Sequence, residues 1–361
     1  MSRAALRRLL GSPVSWLAGL LPVTGLLLAL GAPPLWLLLV SAGAMIPLAA
    51  WIGQATETLA AYTGPRIGGL LNATLGNAAE LIIAVIAIRE GLIELVKASI
   101  TGSILGNLLL VLGLSMLAGG LRHGEQSFDR RKATSDAVLL VLAVAALLVP
   151  SLFAQSTDGL GEVSVEILSL GVAGLMVLVY AMGVVRSLKT AAGPLARAPA
   201  DPAPHGDGWS VRGALALLAV ATVGVAWLSE VLVHQVEPVV LGLGVSEFFL
   251  GVVLIPIVGN VSEHLVAVTV AMKNQMSLSV EIAVGSSLQV ALFVVPVLVF
   301  LSLLLGNPLT LVFNAFELIA LVAGVLIAAL VSADGEANWL EGAVLLALYL
   351  MLALAFFLLP V

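Results

Sequence analysis

The sequence contains no cysteine, which excludes disulfide bonds and metal sites built from thiolates. Charged residues are also scarce, at 10% of the chain, whereas a soluble globular domain carries about 25%. The four histidines do not form the H-E-x-x-H spacing of a zinc protease, and no nucleophile elbow is present. These shortages argue against a soluble protein and against an intramembrane hydrolase.

Hydrophobic residues make up 61% of the 361 residues and fall in long runs. Because about 20 apolar residues cross the roughly 30 Å hydrocarbon layer of a membrane, such runs predict transmembrane helices. We expect an all-α polytopic membrane protein with about eleven of them. The predicted transmembrane helices cover residues 14–31, 35–57, 66–88, 94–118, 134–153, 163–185, 211–233, 243–271, 279–305, 309–331 and 338–360.

The first run follows three basic residues and could be read as a signal peptide. No clear cleavage site precedes the next run, which favours a retained helix. With the N-terminus in the cytoplasm, 13 of the 15 basic residues fall on the inner side, leaving only Arg89 and Lys97 outside. The positive-inside rule therefore predicts a cytoplasmic N-terminus and an external C-terminus. We expect the cell (inner) membrane, with the lipid bilayer as partner and no nucleic-acid partner.

A polar motif occurs twice in this apolar sequence, at a fixed offset of 183 residues. The stretch "LGNAAEL" (75–81) matches "VGNVSEHL" (258–265), and "TGSILGN" (101–107) matches "VGSSLQV" (284–290). The two copies of the first motif fall on predicted helices three and eight, an odd number of crossings apart, so they run in opposite directions. The pattern predicts inverted repeats, an architecture typical of secondary transporters with a site at the membrane midplane.

The repeat suggests a division of the chain into four parts. Residues 1–34 would form an extra N-terminal helix, and residues 35–186 the first transmembrane repeat. Residues 187–210 are rich in proline and alanine, which is typical of a flexible linker, here cytoplasmic. Residues 211–361 would form the second, inverted repeat of five helices.

The polar residues of the motif share a helix face. Asn77 and Glu80 are three apart, as are Asn260 and Glu263, so each pair points in one direction. A carboxylate in hydrocarbon costs at least about 2.5 kcal/mol, and two at equivalent positions indicate a function. Pro256 lies four residues before Asn260 and is expected to break the helix and free a backbone carbonyl.

Carboxylate, amide and hydroxyl oxygens together suit a hard cation such as Ca²⁺, whereas zinc or copper would favour Cys or paired His. Alternatively, the asparagines have a purely structural role and join helices by hydrogen bonds, which average about 0.6 kcal/mol in membranes. That alternative leaves the two glutamates unexplained. The candidate cation ligands are Glu80, Glu263, Asn77, Asn260, Ser103, Ser286 and Gln289.

Other polar residues allow two interpretations each. His264 follows Glu263 and projects about 100° away from it, so it either handles protons or packs and forms hydrogen bonds. Glu57 and Glu230 lie near the ends of predicted helices two and seven, as solvated helix ends or as a cation-collecting vestibule. Glu247, Glu281 and Glu317 also fall near predicted ends, where we expect interfacial positions.

The paired motifs G-N-A-x-E and G-N-x-x-E-H, with their T-G-S and V-G-S partners, resemble the two α-repeats of the calcium/cation antiporter superfamily. Within it they are similar to the Ca²⁺/H⁺ exchanger (CAX) family. The resemblance implies eleven helices, Ca²⁺ as transported substrate without a resident cofactor, and exchange for protons. It also implies that Glu80 and Glu263 carry the ion and the protons, and it favours a proton role for His264. Gly106 departs from the expected pattern, which has a small hydroxyl residue there.

We therefore predict a secondary active antiporter, not an enzyme, that exchanges Ca²⁺ or a related cation for protons by alternating access. An exchanger coupled to Na⁺ or K⁺ is the alternative, as is a cation channel, since rings of glutamate also select cations. Two buried glutamates on a repeat favour the antiporter over the channel. The two carboxylates would bind either one divalent cation or two protons.

Overall fold

The computed structural model describes residues 13–156, 162–190 and 210–359, and these are almost entirely helical. A 3₁₀ turn, Pro13–Gly19, leads into the first α-helix. The helices are α1 (Leu20–Ala29), α2 (Pro34–Leu75), α3 (Ala78–Arg89), α4 (Ile93–Leu105), α5 (Leu112–His123), α6 (Arg130–Ser156), α7 (Glu162–Thr190), α8 (Val211–Leu243), α9 (Glu247–Phe249), α10 (Ile255–Ala271), α11 (Met276–Gln289), α12 (Val295–Leu305), α13 (Ala315–Val331) and α14 (Trp339–Leu358).

The structure confirms a multi-pass helical protein. Among the described residues, seven helices are long and apolar enough to cross a membrane, or eight if one bent pair counts as a single span. Two shorter apolar helices, Val14–Ala29 and Ala315–Val331, accompany them. The count of eleven spans stays a prediction. The linker lies largely outside the described residues, which resume at 210.

Helix α2 has helical backbone where the sequence predicts a loop between two spans, near residues 58–65. It continues for 42 residues, from Pro34 to Leu75, and the interruption comes later, at Gly76 and Asn77. The helix is not straight. A Cβ on Gly68 would lie 2.7 Å from the carbonyl oxygen of Ala60, whereas eight residues of straight helix advance about 12 Å, so the chain bends sharply between these residues. A further break lies beside the polar motif itself, where Asn77 starts α3 with non-helical torsion angles (φ −98°, ψ 20°).

Three π-helical turns join helices in the centre of the molecule: Gly106–Val111, Leu250–Leu254 and Val290–Val294. The last two directly precede Pro256 and Pro296, which lie in the first turns of α10 and α12. A π-turn shifts backbone hydrogen bonds to i→i+5, so the chain passes a proline nitrogen without stopping. The break predicted at Pro256 is therefore a π-turn, and a 70° bend follows between Glu247–Val261 and Glu263–Ala271.

Contacts between loops define two ends of the helix bundle. At one end, a two-stranded antiparallel sheet joins β1 (Gln126–Ser127) to β2 (Glu336–Ala337). At the same end, Nε2 of His123 lies 2.9 Å from the carbonyl oxygen of Met272. At the other end, Asn307 donates to the carbonyl oxygen of Ile88 at 2.8 Å. The long helices α2 and α8 pack along each other, and α3, α4, α10 and α11 meet between the two ends.

Candidate cation-binding site

Glu80 lies in the first turn of α3, and its side chain is only 8% exposed. Its Oε1 accepts hydrogen bonds from the hydroxyl of Ser103 at the end of α4 and from Nδ2 of Asn260 on α10, the latter at 2.6 Å. A Cβ on Gly259 would lie 2.8 Å from Cγ of Glu80, so glycine makes room for this carboxylate. Three helices from distant parts of the sequence thus meet at one buried acid.

Glu263 on α10 is the second acid of the cluster. It accepts a hydrogen bond from the hydroxyl of Ser286 near the end of α11. The partners are 23 residues apart, as are Ser103 and Glu80. Each predicted glutamate therefore contacts the predicted serine of its own half. Unlike Glu80, Glu263 is only half-buried.

The remaining predicted ligands also come together. Nδ2 of Asn77 donates to Oε1 of Gln289 at 2.9 Å, which joins the start of α3 to the end of α11. Nε2 of His264 lies 3.1 Å from Oδ1 of Asn107 in the first π-turn. A neutral histidine with its proton on Nε2 donates to that oxygen. Helices from both halves of the chain supply every one of these pairs.

Two oxygens of the cluster have no hydrogen-bond partner among the described residues: Oε2 of Glu80 and Oδ1 of Asn77. A buried polar atom left in this way costs about 1–3 kcal/mol, more if charged. Glu263 is also close enough to Glu80 for the two carboxylates to repel each other. A cation between them would relieve both costs, and the donors are oxygens of the kind that Ca²⁺ binds.

No group of three or more His, Cys, Asp or Glu side chains that could hold a metal occurs within the described residues. The negative charge of the cluster therefore comes from two carboxylates, and the other oxygens are neutral. This composition is compatible with a cation that must leave as well as enter. Glu57 and Glu230 are exposed on α2 and α8, and their vestibule role stays a prediction.

Glu317 occupies a different position from the interfacial one that the sequence suggests. It is fully buried and forms a capping box with Asn314 at the start of α13. Its Oε1 also accepts from the hydroxyl of Thr101 on α4, at 3.2 Å. The spacing of Asn314 and Glu317, three residues apart at a helix start, could have indicated this structural role.

The structure also buries an acidic residue that the sequence did not suggest as a candidate, Asp136. Asp136 on α6 is 2% exposed, and its Oδ1 has no hydrogen-bond partner within the described residues. One turn earlier, Lys132 forms an ion pair with Glu281 on α11, with Nζ 2.7 Å from Oε2. In the sequence, the only indication of this cluster is that Asp136 follows Lys132 by four residues, one helical turn, at the start of an apolar run.

Comparison with known proteins identifies the family. Residues 33–189 and 213–358 match the sodium/calcium exchanger protein family. A protein of Aphanothece halophytica named Ca(2+)/H(+) antiporter is 47% identical over 331 residues, which is 88% of this chain and 89% of that protein. The Ca(2+)/H(+) antiporter ChaA of Bacillus subtilis is 46% identical over 319 residues, covering 87% and 90%.

Solved structures agree. The structure of native YfkE superposes with a TM-score of 0.83 at 41% identity, covering 95% of this chain and 98% of that one. A crystal structure titled H+/Ca2+ Exchanger CAX has a TM-score of 0.75 at 17% identity, covering 98% and 92%, and so shares the fold. The chain therefore belongs to the sodium/calcium exchanger protein family, and the resemblance to the Ca²⁺/H⁺ exchanger (CAX) family that its motifs predict is confirmed.

Proposed function

We propose that this protein is a secondary active antiporter that exchanges Ca²⁺ for protons across a membrane. The observation that carries the proposal is the buried carboxylate of Glu80, which lies beside Asn260 and has one oxygen without a hydrogen-bond partner in the part of the chain that the structure describes. Relatives at 45–47% identity bear the name Ca(2+)/H(+) antiporter. A transporter of this kind moves ions and catalyses no covalent reaction, so it is not an enzyme.

In this proposal the ion is held between Glu80 and Glu263. Asn77, Asn260, Ser103, Ser286 and Gln289 supply neutral oxygens around it, after some of their mutual hydrogen bonds open. Because both carboxylates already accept from a serine, those hydroxyls orient the acids. His264, in contact with Asn107, passes protons toward the pair, and Glu57 and Glu230 collect cations at the mouths.

Exchange follows from charge balance in a site of low dielectric. With the site empty, two like charges would face each other away from water, at a cost of several kcal/mol for even one ion. One divalent cation or two protons remove that cost in alternative ways, so each species displaces the other. If only these nearly neutral states cross between inward- and outward-facing forms, the protein exchanges ions and does not leak.

The architecture that we propose has eleven transmembrane helices in two inverted repeats, with α1 and its 3₁₀ turn as the extra helix. Three observations support it. The family match falls into two segments separated by the linker, the Ser–Glu bonds recur at an offset of 183 residues, and π-turns occur at corresponding positions. Alternating access would then move one repeat against the other around the shared site.

We also propose a cytoplasmic N-terminus, an external C-terminus and residence in the cell membrane. The distribution of basic residues supports this orientation. The contacts at the two ends of the helix bundle agree with it, since His123 and Met272, from two predicted inner loops, meet at one end. Arg89 lies near the opposite end, where Asn307 contacts the preceding carbonyl groups.

The decisive experiment uses the purified full-length protein in proteoliposomes with an imposed pH gradient. We expect Ca²⁺ to move against its own gradient, driven by protons, with saturable kinetics and no requirement for Na⁺ or K⁺. Collapsing the pH gradient should stop the uphill flux. Ca²⁺ flux that ignores pH and requires Na⁺ would overturn proton coupling, and non-saturable flux down the gradient alone would indicate a channel.

A further inference from the structure

A buried polar cluster separate from the cation site lies where α6 packs against α11. Lys132 and Asp136 are one turn apart on α6, so they share a face, and Glu281 faces them from α11. Nζ of Lys132 is 2.7 Å from Oε2 of Glu281. Asp136 is 2% exposed, and its Oδ1 has no hydrogen-bond partner among the described residues.

The charges around Asp136 can be assigned element by element. Its own helix and the preceding turn contribute Lys132 and the exposed Asp129, and α11 contributes Glu281. On α7, Arg186 near the C-terminal end is exposed. The one charged residue of α13, Glu317, lies at the far end of α6, because the segment before it contacts Ser151. The π-turn Val290–Val294 is apolar.

One lysine therefore faces two carboxylates, and the ion pair already occupies it. An ionised Asp136 would be a buried charge without a contacting cation, a state that costs several kcal/mol. A proton removes the charge and turns the carboxyl into a hydrogen-bond donor. Lys132 can also reach Asp136 on its own helix face, which would leave Glu281, whose side chain is 11% exposed, to nearby water.

We propose that Asp136 is a third proton-binding carboxylate, separate from Glu80 and Glu263, and that Lys132 exchanges Glu281 for Asp136 as its partner. When Asp136 is protonated, Lys132 stays with Glu281 and ties α6 to α11. When Asp136 releases its proton, the ammonium, charged throughout, moves to Asp136 and releases α11. Lys132 follows the basic loop that we predict to be cytoplasmic, so the cluster would respond to pH on that side.

The consequence for transport comes from α11 itself. Ser286 and Gln289 lie five and eight residues after Glu281, about 7.5 and 12 Å along the same helix. A change in the tie between α6 and α11 therefore acts on the helix that supplies two of the proposed ligands. This step rests on the proposed function, whereas proton binding by Asp136 does not.

Infrared difference spectroscopy of the purified protein tests proton binding without requiring transport. Because Glu80 and Glu263 would also give carboxylic-acid C=O bands, the measurement compares variants. We expect alkalinisation to remove from the wild-type spectrum a C=O band that Asp136→Asn lacks, while the bands of Glu80 and Glu263 behave alike in both proteins. The matched control is Asp129→Asn, the same chemical change at an exposed position seven residues earlier, and it should retain the band. An Asp136→Asn spectrum that loses the same set of C=O bands as the wild-type spectrum would overturn the proposal.

A second variant covers the case in which Asp136→Asn does not fold. Glu281→Gln frees Lys132 to pair with Asp136, so the same band should weaken or vanish at neutral pH. An unchanged band in Glu281→Gln would overturn the partner exchange. These measurements remain valid if the protein proves not to exchange Ca²⁺ for protons, so the two failures are distinguishable.

Transport provides the functional readout. In proteoliposomes with the pH of the opposite side held fixed, Asp136→Asn should flatten the dependence of Ca²⁺ flux on pH at the face that carries the loop before α6. Asp129→Asn should keep the wild-type dependence. An Asp136→Asn protein that retains the full wild-type pH dependence would overturn the coupling of Asp136 to α11.

Discussion

Glu80 and Glu263 occupy equivalent positions in the two copies of one motif, yet their surroundings differ. Glu80 is 8% exposed and accepts from both Ser103 and Asn260, whereas Glu263 is half-buried and accepts from Ser286. The same short sequence therefore yields one closed and one more open half-site. Local sequence sets which groups are present, but the packing of neighbouring helices decides how far each is shielded from water.

Gly102 and Gly285, the glycines of the T-G-S and V-G-S motifs, also differ in how closely their neighbours pack. A Cβ on Gly102 would clash with the carbonyl oxygen of Val252, which the π-turn before Pro256 directs against α4. A Cβ on Gly285, the equivalent residue, would meet nothing within 4 Å. In a protein of inverted repeats, we expect such asymmetry to mark one access state, with the roles of the halves reversed in the other.

The absence of a side chain at Gly106 accounts for part of the difference between the surroundings of Glu80 and Glu263. Asn77 donates to Gln289, but the residue equivalent to Gln289 in the first half is Gly106. Asn260 therefore has no matching partner and donates instead to Glu80 and Ser103, at 2.6 and 3.4 Å. The glycine at position 106, where the family pattern has a small hydroxyl residue, thus adds a hydrogen bond to the carboxylate of Glu80.

The largest effect should come from removing either charge. Glu80→Gln and Glu263→Gln should each abolish Ca²⁺ exchange, because either change leaves one carboxylate for a divalent ion. The variants should still insert, since burial of the charge was unfavourable. They should also lose stabilisation by Ca²⁺, which is worth about 2.7 kcal/mol at 100 times Kd, measured by thermal unfolding in detergent.

The control is Glu125→Gln, the same change in an exposed loop, which should exchange normally. If only Glu80→Gln is inactive, the carboxylate of Glu80 binds the ion without that of Glu263. Wild-type exchange by both variants would remove the pair from the mechanism.

The packing contrast predicts an intermediate effect. Gly102→Ala should lower the free energy of unfolding by about 1–3 kcal/mol, since a backbone carbonyl cannot move aside cheaply. Gly285→Ala should leave stability unchanged or raise it by up to about 1 kcal/mol through helix propensity. If the halves exchange roles, Gly285→Ala should nevertheless slow transport by obstructing the other state.

Thermal unfolding and proteoliposome flux measured on the same preparations test both statements. Equal destabilisation by the two alanines would show that the asymmetry between Gly102 and Gly285 has no energetic meaning. Unimpaired flux in Gly285→Ala would mean that the second half does not close as the first one does.

The smallest effect concerns His264, whose equivalent in the first half is Leu81. His264→Leu makes the halves alike and removes the contact with Asn107. Hydrogen bonds of this kind average about 0.6 kcal/mol in membranes, so we expect about a threefold loss of Ca²⁺ affinity. His264→Gln can keep the hydrogen bond and separates bonding from proton transfer.

Flux measured across a range of pH distinguishes these roles. Full rescue by His264→Gln with wild-type pH dependence would assign the histidine a bonding role and contradict its proposed proton transfer. A changed pH dependence in the glutamine variant would support proton transfer through the ring.

The sequence predicted the central cluster because charged and amide residues in hydrocarbon are costly and rarely accidental. Glu80, Glu263 and their serine partners needed only the offset of 183 residues and helical spacing to be paired. The helical backbone of α2 across residues 58–65 was not predictable in this way. Hydropathy reads this polar segment as a loop, and the structure keeps a change of direction between Ala60 and Gly68 but makes it within helical backbone.

Sequence patterns provided no assignment for Asp136 and a wrong one for Glu317, for a different reason. Both lie on helices that pack against helices of the other half of the chain, and their burial depends on that packing. The capping box of Glu317 can be predicted from neighbouring residues in the sequence. The hydrogen bond between Glu317 and Thr101, however, joins residues 216 apart. No periodicity within one helix carries that information.

The oxygens of Glu80 and Asn77 that have no partner among the described residues have a further consequence for ion selectivity. Both atoms are buried in the protein, so the water shell of the ion makes up much of the remaining cost of binding. Mg²⁺ releases its water reluctantly and demands near-ideal octahedral geometry, whereas Ca²⁺ accepts six to eight oxygens in irregular arrangements. A buried cluster of carboxylate, amide and hydroxyl oxygens therefore favours Ca²⁺ over Mg²⁺ through the hydration of the ions, even though both carry the same charge.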